Sequence, residues 1–235
     1  MHKQFLRINN IPAIIWGEKS DNVIIAIHGN MSNKSDVPID ILSNNAFKKD
    51  YQVISFDLPE HGDRKNEKTP FKVQNCVKEL EYIIEYVKAR WNHISLFANS
   101  IGAYFSLLAY DDEVLEKALF LSPVVDMEKI IKDMMIWFNI TEEQLKDKQT
   151  ISTPIGQNLY WDYYCYVKEH PIDKWNVPTS ILYGSKDNMT SKDAITNFTN
   201  EFSCELIIVD GAEHYFHTAE QLKTLEIWLK DNFMN

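Results

Sequence analysis

Three residue types able to carry nucleophilic chemistry stand just beyond short apolar runs of this chain. Ser100 lies in Leu96-Phe97-Ala98-Asn99-Ser100-Ile101-Gly102-Ala103, where an apolar run passes into a helical pattern. Asp187 closes Tyr183-Gly184-Ser185-Lys186-Asp187, and His214 follows Val209-Asp210-Gly211-Ala212-Glu213. A hydroxyl, an imidazole and a carboxylate are the parts of an activated nucleophile, in which the imidazole takes the hydroxyl proton and the carboxylate orients the imidazole. Each also has a plainer reading. Ser100 could cap a helix over 101–110, and Asp187 could be an ordinary turn aspartate. Asp126 is a rival acid after another apolar run, but it precedes the helical pattern starting at Met127 and is adequately explained as its cap. His214 and His217 have the types of a metal pair; no third and fourth ligand at recognisable spacing accompanies them, so no metal is expected.

The elements that must position these residues alternate between β-branched runs and amphipathic helical patterns, the rhythm of a mostly parallel sheet. Two short runs, about 4–8 and 11–16, flank Asn9-Asn10 and predict a starting antiparallel hairpin. Buried strands are expected at Val23–Ile27, Tyr51–Phe56, Ile94–Phe97, Ala118–Leu121, Ser180–Tyr183 and Glu205–Val209, eight strands in all with the hairpin. Val73, Cys76, Val77, Leu80, Ile83, Ile84 and Val87 mark a helix with one buried face, and Leu222, Leu225, Trp228, Leu229 and Phe233 mark another near the end. From 126 to 175 the alternation stops: the stretch is helical in places, rich in Met, Trp and Tyr, and offers no strand. It is too short to bury a core of its own comfortably, so the chain reads as one domain with a core of 1–125 and 176–235 and an insertion of 126–175 lying over the sheet.

The segment around Ser100 resembles the G-x-S-x-G nucleophile elbow of the α/β-hydrolase fold superfamily, with Ala98 in the first glycine position. Residues two before and two after a serine on a strained strand-to-helix turn press against neighbouring backbone and must be small. Ile27-His28-Gly29-Asn30-Met31 is similar to the family's His-Gly oxyanion loop, and Asp57-Leu58-Pro59-Glu60-His61-Gly62 to its D-x-P-G-x-G loop, with Glu60 where glycine is usual. The resemblance covers nearly the whole chain except the insertion. It implies an α/β fold with an eight-stranded, mostly parallel sheet flanked by helices and a helical cap. It also implies Ser100 as nucleophile, Asp187 as acid and His214 as base, in the family's chain order, with the backbone N–H groups of Asn30 and Ile101 as oxyanion hole. The reaction implied is acyl transfer without cofactor. Attack on carbon by a serine would give a stable ether, which excludes haloalkane dehalogenase and epoxide hydrolase chemistry.

Within acyl transfer, an ester of a small to medium apolar acid is the first expectation and a thioester the next. Aromatic residues of the insertion, Trp137, Tyr160, Trp161 and Tyr164, with His28, Met31 and Tyr215 from the core, are the candidate pocket residues, although the aromatics could equally glue the insertion to the sheet. His28 is expected chiefly to brace its loop. Glu142 and Glu143 could serve a serine aminopeptidase by holding a substrate ammonium, or simply open a solvated helix after Thr141. The same triad would also suit a carbon–carbon hydrolase or lyase, and a ligand-binding relative without chemistry is the remaining alternative.

Composition bounds these readings. With 24 Lys+Arg against 34 Asp+Glu, the net charge of −10 repels nucleic acid and anionic lipid. A small-molecule substrate is therefore expected, with no nucleic-acid or membrane partner. The opening residues show no basic segment followed by an apolar stretch, which places the chain in the cytoplasm as an expectation. Cys76, Cys165 and Cys204 are odd in number and far apart, and read as buried or half-buried thiols rather than a disulfide framework.

Overall fold

The computed structural model describes residues 1–233. Lys3–Ile8 (β1) and Ile11–Trp16 (β2) form the starting antiparallel hairpin. Then follow Asn22–Ile27 (β3), helix Val37–Phe47 (α1), Tyr51–Phe56 (β4), helix Val73–Lys88 (α2), His93–Asn99 (β5), helix Ile101–Ala109 (α3) and Ala118–Leu121 (β6). The stretch 126–175 contributes helices Met127–Trp137 (α4), Glu142–Lys148 (α5) and Trp161–Glu169 (α6), with strands Thr150–Ser152 (β7) and Asn158–Tyr160 (β8). Thr179–Gly184 (β9), helix Lys192–Glu201 (α7), Glu205–Val209 (β10) and helix Ala219–Phe233 (α8) complete the chain.

The main sheet has eight strands in the order β1-β2-β4-β3-β5-β6-β9-β10, with β2 antiparallel to both of its neighbours, β1 and β4, and all other neighbouring pairs parallel. Apolar runs buried on both faces make its centre. Along β3, Val23, Ile25 and Ile27 point into one core cluster and Ile24 and Ala26 into the other. The first cluster is closed by the buried stripe of α2, and by α3, α4 and α7. The second is closed by Ile39, Leu42 and Ala46 of α1 and by Leu225, Trp228 and Leu229 of α8. The chain reverses direction across the sheet between β3 and β5, so the carboxyl ends of these two neighbours open a crevice, the usual ligand position in such sheets.

Two expectations need correction. Glu205–Val209 is not a buried strand; it forms the sheet's edge and three of its five residues are exposed, because only β9 flanks it. The stretch 126–175 does contain strands: β7 and β8 pair as a small antiparallel hairpin, too short and polar to show a β pattern. Its buried residues, among them Met134, Leu159 and Tyr164, share the core cluster of α2 and α3. Among the described residues no helix is long and apolar enough to cross a membrane.

Candidate active site

Ser100 sits between β5 and α3 with φ 54° and ψ −120°, a left-handed-side conformation costly for a residue with a Cβ. Backbone bonds hold it there: its N–H donates to the Leu121 carbonyl at 3.0 Å, and its own carbonyl accepts from Ala103 and Val124 at 3.1 Å each. Its hydroxyl caps nothing. Instead Oγ lies 2.7 Å from Nε2 of His214. Close backbone contact requires the small neighbours: a Cβ on Gly102 would stand 2.6 Å from the His28 carbonyl oxygen, and Ala98 is fully buried.

Asp187 and His214 arrive on loops after β9 and β10, which are parallel neighbours. Lys186 N–H donates to the Ala212 carbonyl at 2.8 Å, and a Cβ on Gly184 would come within 2.4 Å of that same oxygen. The two loops therefore pack backbone to backbone. The Asp187 carboxylate is fully shielded from solvent. Its Oδ1 accepts from the N–H groups of Met189 (2.8 Å) and Thr190 (3.0 Å), leaving Oδ2 at 2.7 Å from Nδ1 of His214. An ionised carboxylate only accepts, so Nδ1 carries the ring proton and Nε2 presents a lone pair to Ser100 Oγ. Asp126 is engaged elsewhere: its Oδ1 caps α4 by accepting from Lys129 N–H at 2.9 Å.

Gly29 sets the oxyanion-loop candidate against the nucleophile; a Cβ there would lie 3.2 Å from Ser100 Cβ. Among the described residues the N–H groups of Asn30 and Ile101 have no protein acceptor, and both residues line the cavity over Ser100. His28 is wholly buried beneath this loop. Its Nδ1 donates to the Gly29 carbonyl (2.7 Å), its Nε2 accepts from Leu58 N–H (3.1 Å), and burial pushes its pKa down to about 4.

The cavity over Ser100 has a volume of about 600 Å³. One wall is apolar, from Met127, Ile130, Ile131 and Met134 of α4 with Tyr160 and Tyr163; the other carries Ser32, Asn33, His61 and Phe71. Of the expected pocket residues, only Met31 and Tyr160 line it. The other five do not. His28 is packed underneath. Trp137 ends α4 and is exposed, and Tyr215 is exposed and stacks flat on His217. Tyr164 is buried with its hydroxyl on Glu142, and the Trp161 ring lies tilted beside it with centroids 6.0 Å apart. Helical period explains the last pair: Tyr160 and Tyr163 share the face toward the cavity, while Trp161 and Tyr164 share the next. The wall of α4 is the i, i+3, i+4, i+7 stripe readable at 127, 130, 131 and 134, a signal obscured by the denser aromatic clusters beside it.

No protein-family model matches this sequence, and no curated protein matches it in sequence. Solved structures do match in fold. Est1E from Butyrivibrio proteoclasticus, in a structure with ferulic acid bound, is 18% identical with a TM-score of 0.81, covering 98% of this chain and 98% of its own. Mouse alpha/beta hydrolase domain-containing protein 10 is 15% identical with a TM-score of 0.79, over 99% of this chain and 98% of its own. An esterase of Pyrococcus furiosus is 16% identical with a TM-score of 0.70, over 100% of this chain and 91% of its own. The sheet order and the helices on both faces are those of the α/β-hydrolase fold, and this chain has that fold.

Proposed function

We propose that this α/β-hydrolase-fold chain is a serine hydrolase that cleaves a carboxylic ester, or a thioester, of a small to medium apolar acid. The observation that carries the reading is the relay from Ser100 Oγ through His214 to the shielded Asp187, with two contacts of 2.7 Å, at the floor of a half-apolar cavity. His214 takes the Ser100 proton as Oγ attacks the acyl carbon. The N–H groups of Asn30 and Ile101 receive the developing oxyanion, and Asp187 keeps the imidazole in the required tautomer and stabilises its charge. The imidazolium returns its proton to the leaving group, and the same groups then activate water against the acyl-enzyme.

Similarity in fold to Est1E and to the Pyrococcus esterase supports ester chemistry. In the same reading, residues 126–175 act as a cap whose α4 walls the acyl site, and the enzyme works on a small molecule in the cytoplasm. A serine aminopeptidase is disfavoured, because Glu142 is tied to Tyr164 and Lys168 and neither it nor Glu143 lines the cavity.

Labelling with a fluorophosphonate, beside turnover of p-nitrophenyl esters of graded acyl length, tests the proposal. Modification at Ser100 with turnover lost in Ser100→Ala is the expected result. Labelling that persists in Ser100→Ala, or no turnover of any ester or thioester by a folded protein, overturns it.

A further inference from the structure

Next to Asn30, the loop that offers the oxyanion donor is gripped by a side chain from outside it. Met31, next to Asn30, has φ 58°, and its own side chain is 90% exposed, so packing does not hold this strained residue in place. Its N–H points to two acceptors, Asn30 Oδ1 and His61 Nε2, each at 2.9 Å. Asn30 belongs to the same loop and cannot fix that loop relative to the rest of the molecule. His61 can.

The ring of His61 is buried, and its Nδ1 lies 2.7 Å from the Pro59 carbonyl. A carbonyl only accepts, so Nδ1 carries the proton and Nε2 of the neutral ring accepts from Met31, with Asn30 Oδ1 beside it at 3.1 Å. Burial favours this neutral form by lowering the ring's pKa. Phe71 meets the ring edge-on at 4.5 Å. The loop that carries His61 is itself rigid. The buried Asp57 carboxylate accepts from Lys34 N–H (2.9 Å), Lys34 Nζ (2.5 Å) and Asp63 N–H (3.0 Å). Arg64, also buried, donates to both oxygens of Glu79.

We propose that His61 is a positioning residue of the hydrolase: through Nε2 it fixes the Met31 peptide and thereby the aim of the Asn30 N–H at the oxyanion. This rests on the serine hydrolase reading above. His61 takes no part in proton transfer to or from substrate. Losing one oxyanion donor costs about 10²–10³ in kcat, so a donor that is misaimed rather than lost should cost about 10- to 100-fold.

The test compares the whole protein with His61→Leu, which deletes the acceptor, and His61→Gln, whose amide oxygen reaches to where Nε2 stood. Two measurements are made on each: hydrogen exchange of the Met31 amide, and kcat and KM for a p-nitrophenyl ester and its thionoester, whose sulfur fits a rigid oxyanion site poorly. Expected in His61→Leu are faster Met31 exchange, a kcat for the ester lower by about 10- to 100-fold with KM within about 3-fold, and a smaller ester-to-thionoester rate ratio. His61→Gln should restore most of all three. A merely structural role predicts an unchanged rate ratio and no advantage of Gln over Leu, and either result overturns the inference. Unchanged Met31 exchange in His61→Leu overturns it too. Failure of the hydrolase reading looks different: wild type turns over no ester while Met31 exchange still responds to His61→Leu.

Discussion

Gly102 and His28 touch through backbone: a single added methyl on Gly102 would stand 2.6 Å from the His28 carbonyl oxygen, and also 2.9 Å from Ile27 Cγ2. The helix that follows the nucleophile is thus seated on the loop proposed to hold the oxyanion, and the spacing between the two groups is set by glycine alone. Gly102→Ala must push α3 and the 28–30 loop apart. It should lower stability by about 1–3 kcal/mol through overpacking, and cut kcat more than KM because the two halves of the site separate. Equilibrium denaturation and steady-state kinetics check both. Wild-type kcat in this variant would mean that the loop spacing does not matter.

Asp187→Asn should lower kcat by about 10⁴, since an amide at Oδ2 favours the tautomer with the proton on the wrong nitrogen. Asp126→Asn should be close to neutral for both activity and stability, because asparagine caps a helix about as well as aspartate and Asp126 is occupied with Lys129 N–H. Kinetics on the pair of variants separate the two acids. A large loss in Asp126→Asn with little in Asp187→Asn would reassign the orienting carboxylate.

How much of this was legible in the sequence differs by element for physical reasons. The central strands β3, β4 and β5 are apolar on both faces, which leaves an unmistakable run. The β10 run, Glu205-Leu206-Ile207-Ile208-Val209, looks the same by composition, and only topology reveals that it lies at an edge. Hairpin β7–β8 has three residues in each strand and nothing periodic to read. Ser100, Asp187 and His214 stand out because each follows an apolar run at a turn, in the chain order that the resemblance to the α/β-hydrolase fold implies. The cavity wall departs from expectation because aromatic density marks Trp137, Trp161 and Tyr164, whereas which face a helix turns to a cavity depends on its phase against neighbours. His61 falls only at a variable position of the D-x-P-G-x-G resemblance, which says nothing of its role: its importance lies in a contact with Met31, 30 positions away in the chain.

Stability should fall on mild acidification, with His28 as one main cause. Its folded pKa of about 4 lies below the ordinary value of 6.5. Between these values the unfolded chain binds a proton that the folded protein refuses, so the His28 contribution is fully present above pH 6.5 and is lost as pH falls toward 4. The loss runs at up to about 1.4 kcal/mol per pH unit, about 3 kcal/mol over the window. His61, lowered in the same direction by burial, adds to it. Urea denaturation from pH 7 to pH 5, a range above most carboxylate titration, should show a shallower pH dependence in His28→Asn than in wild type. Equal slopes would mean that His28 is not held neutral.

Acyl preference should be set by α4 rather than by the aromatic cluster of α6. Ile130 is half-buried and lines the cavity, whereas Trp161 does not line it and packs beside Tyr164. Ile130→Trp adds bulk to the apolar wall, so esters of longer acids should lose kcat/KM against acetate by about 10- to 200-fold, the range expected when a pocket changes by contacts worth about 1–3 kcal/mol. Trp161→Ala removes packing between α6 and its surroundings, so it should lower the melting temperature while every ester keeps its rank. The comparison is kcat/KM across p-nitrophenyl esters of graded length, measured well below each variant's melting temperature. Should Trp161→Ala reorder the esters and Ile130→Trp leave them in order, the acyl group lies against α6 and the assignment of the α4 wall is wrong.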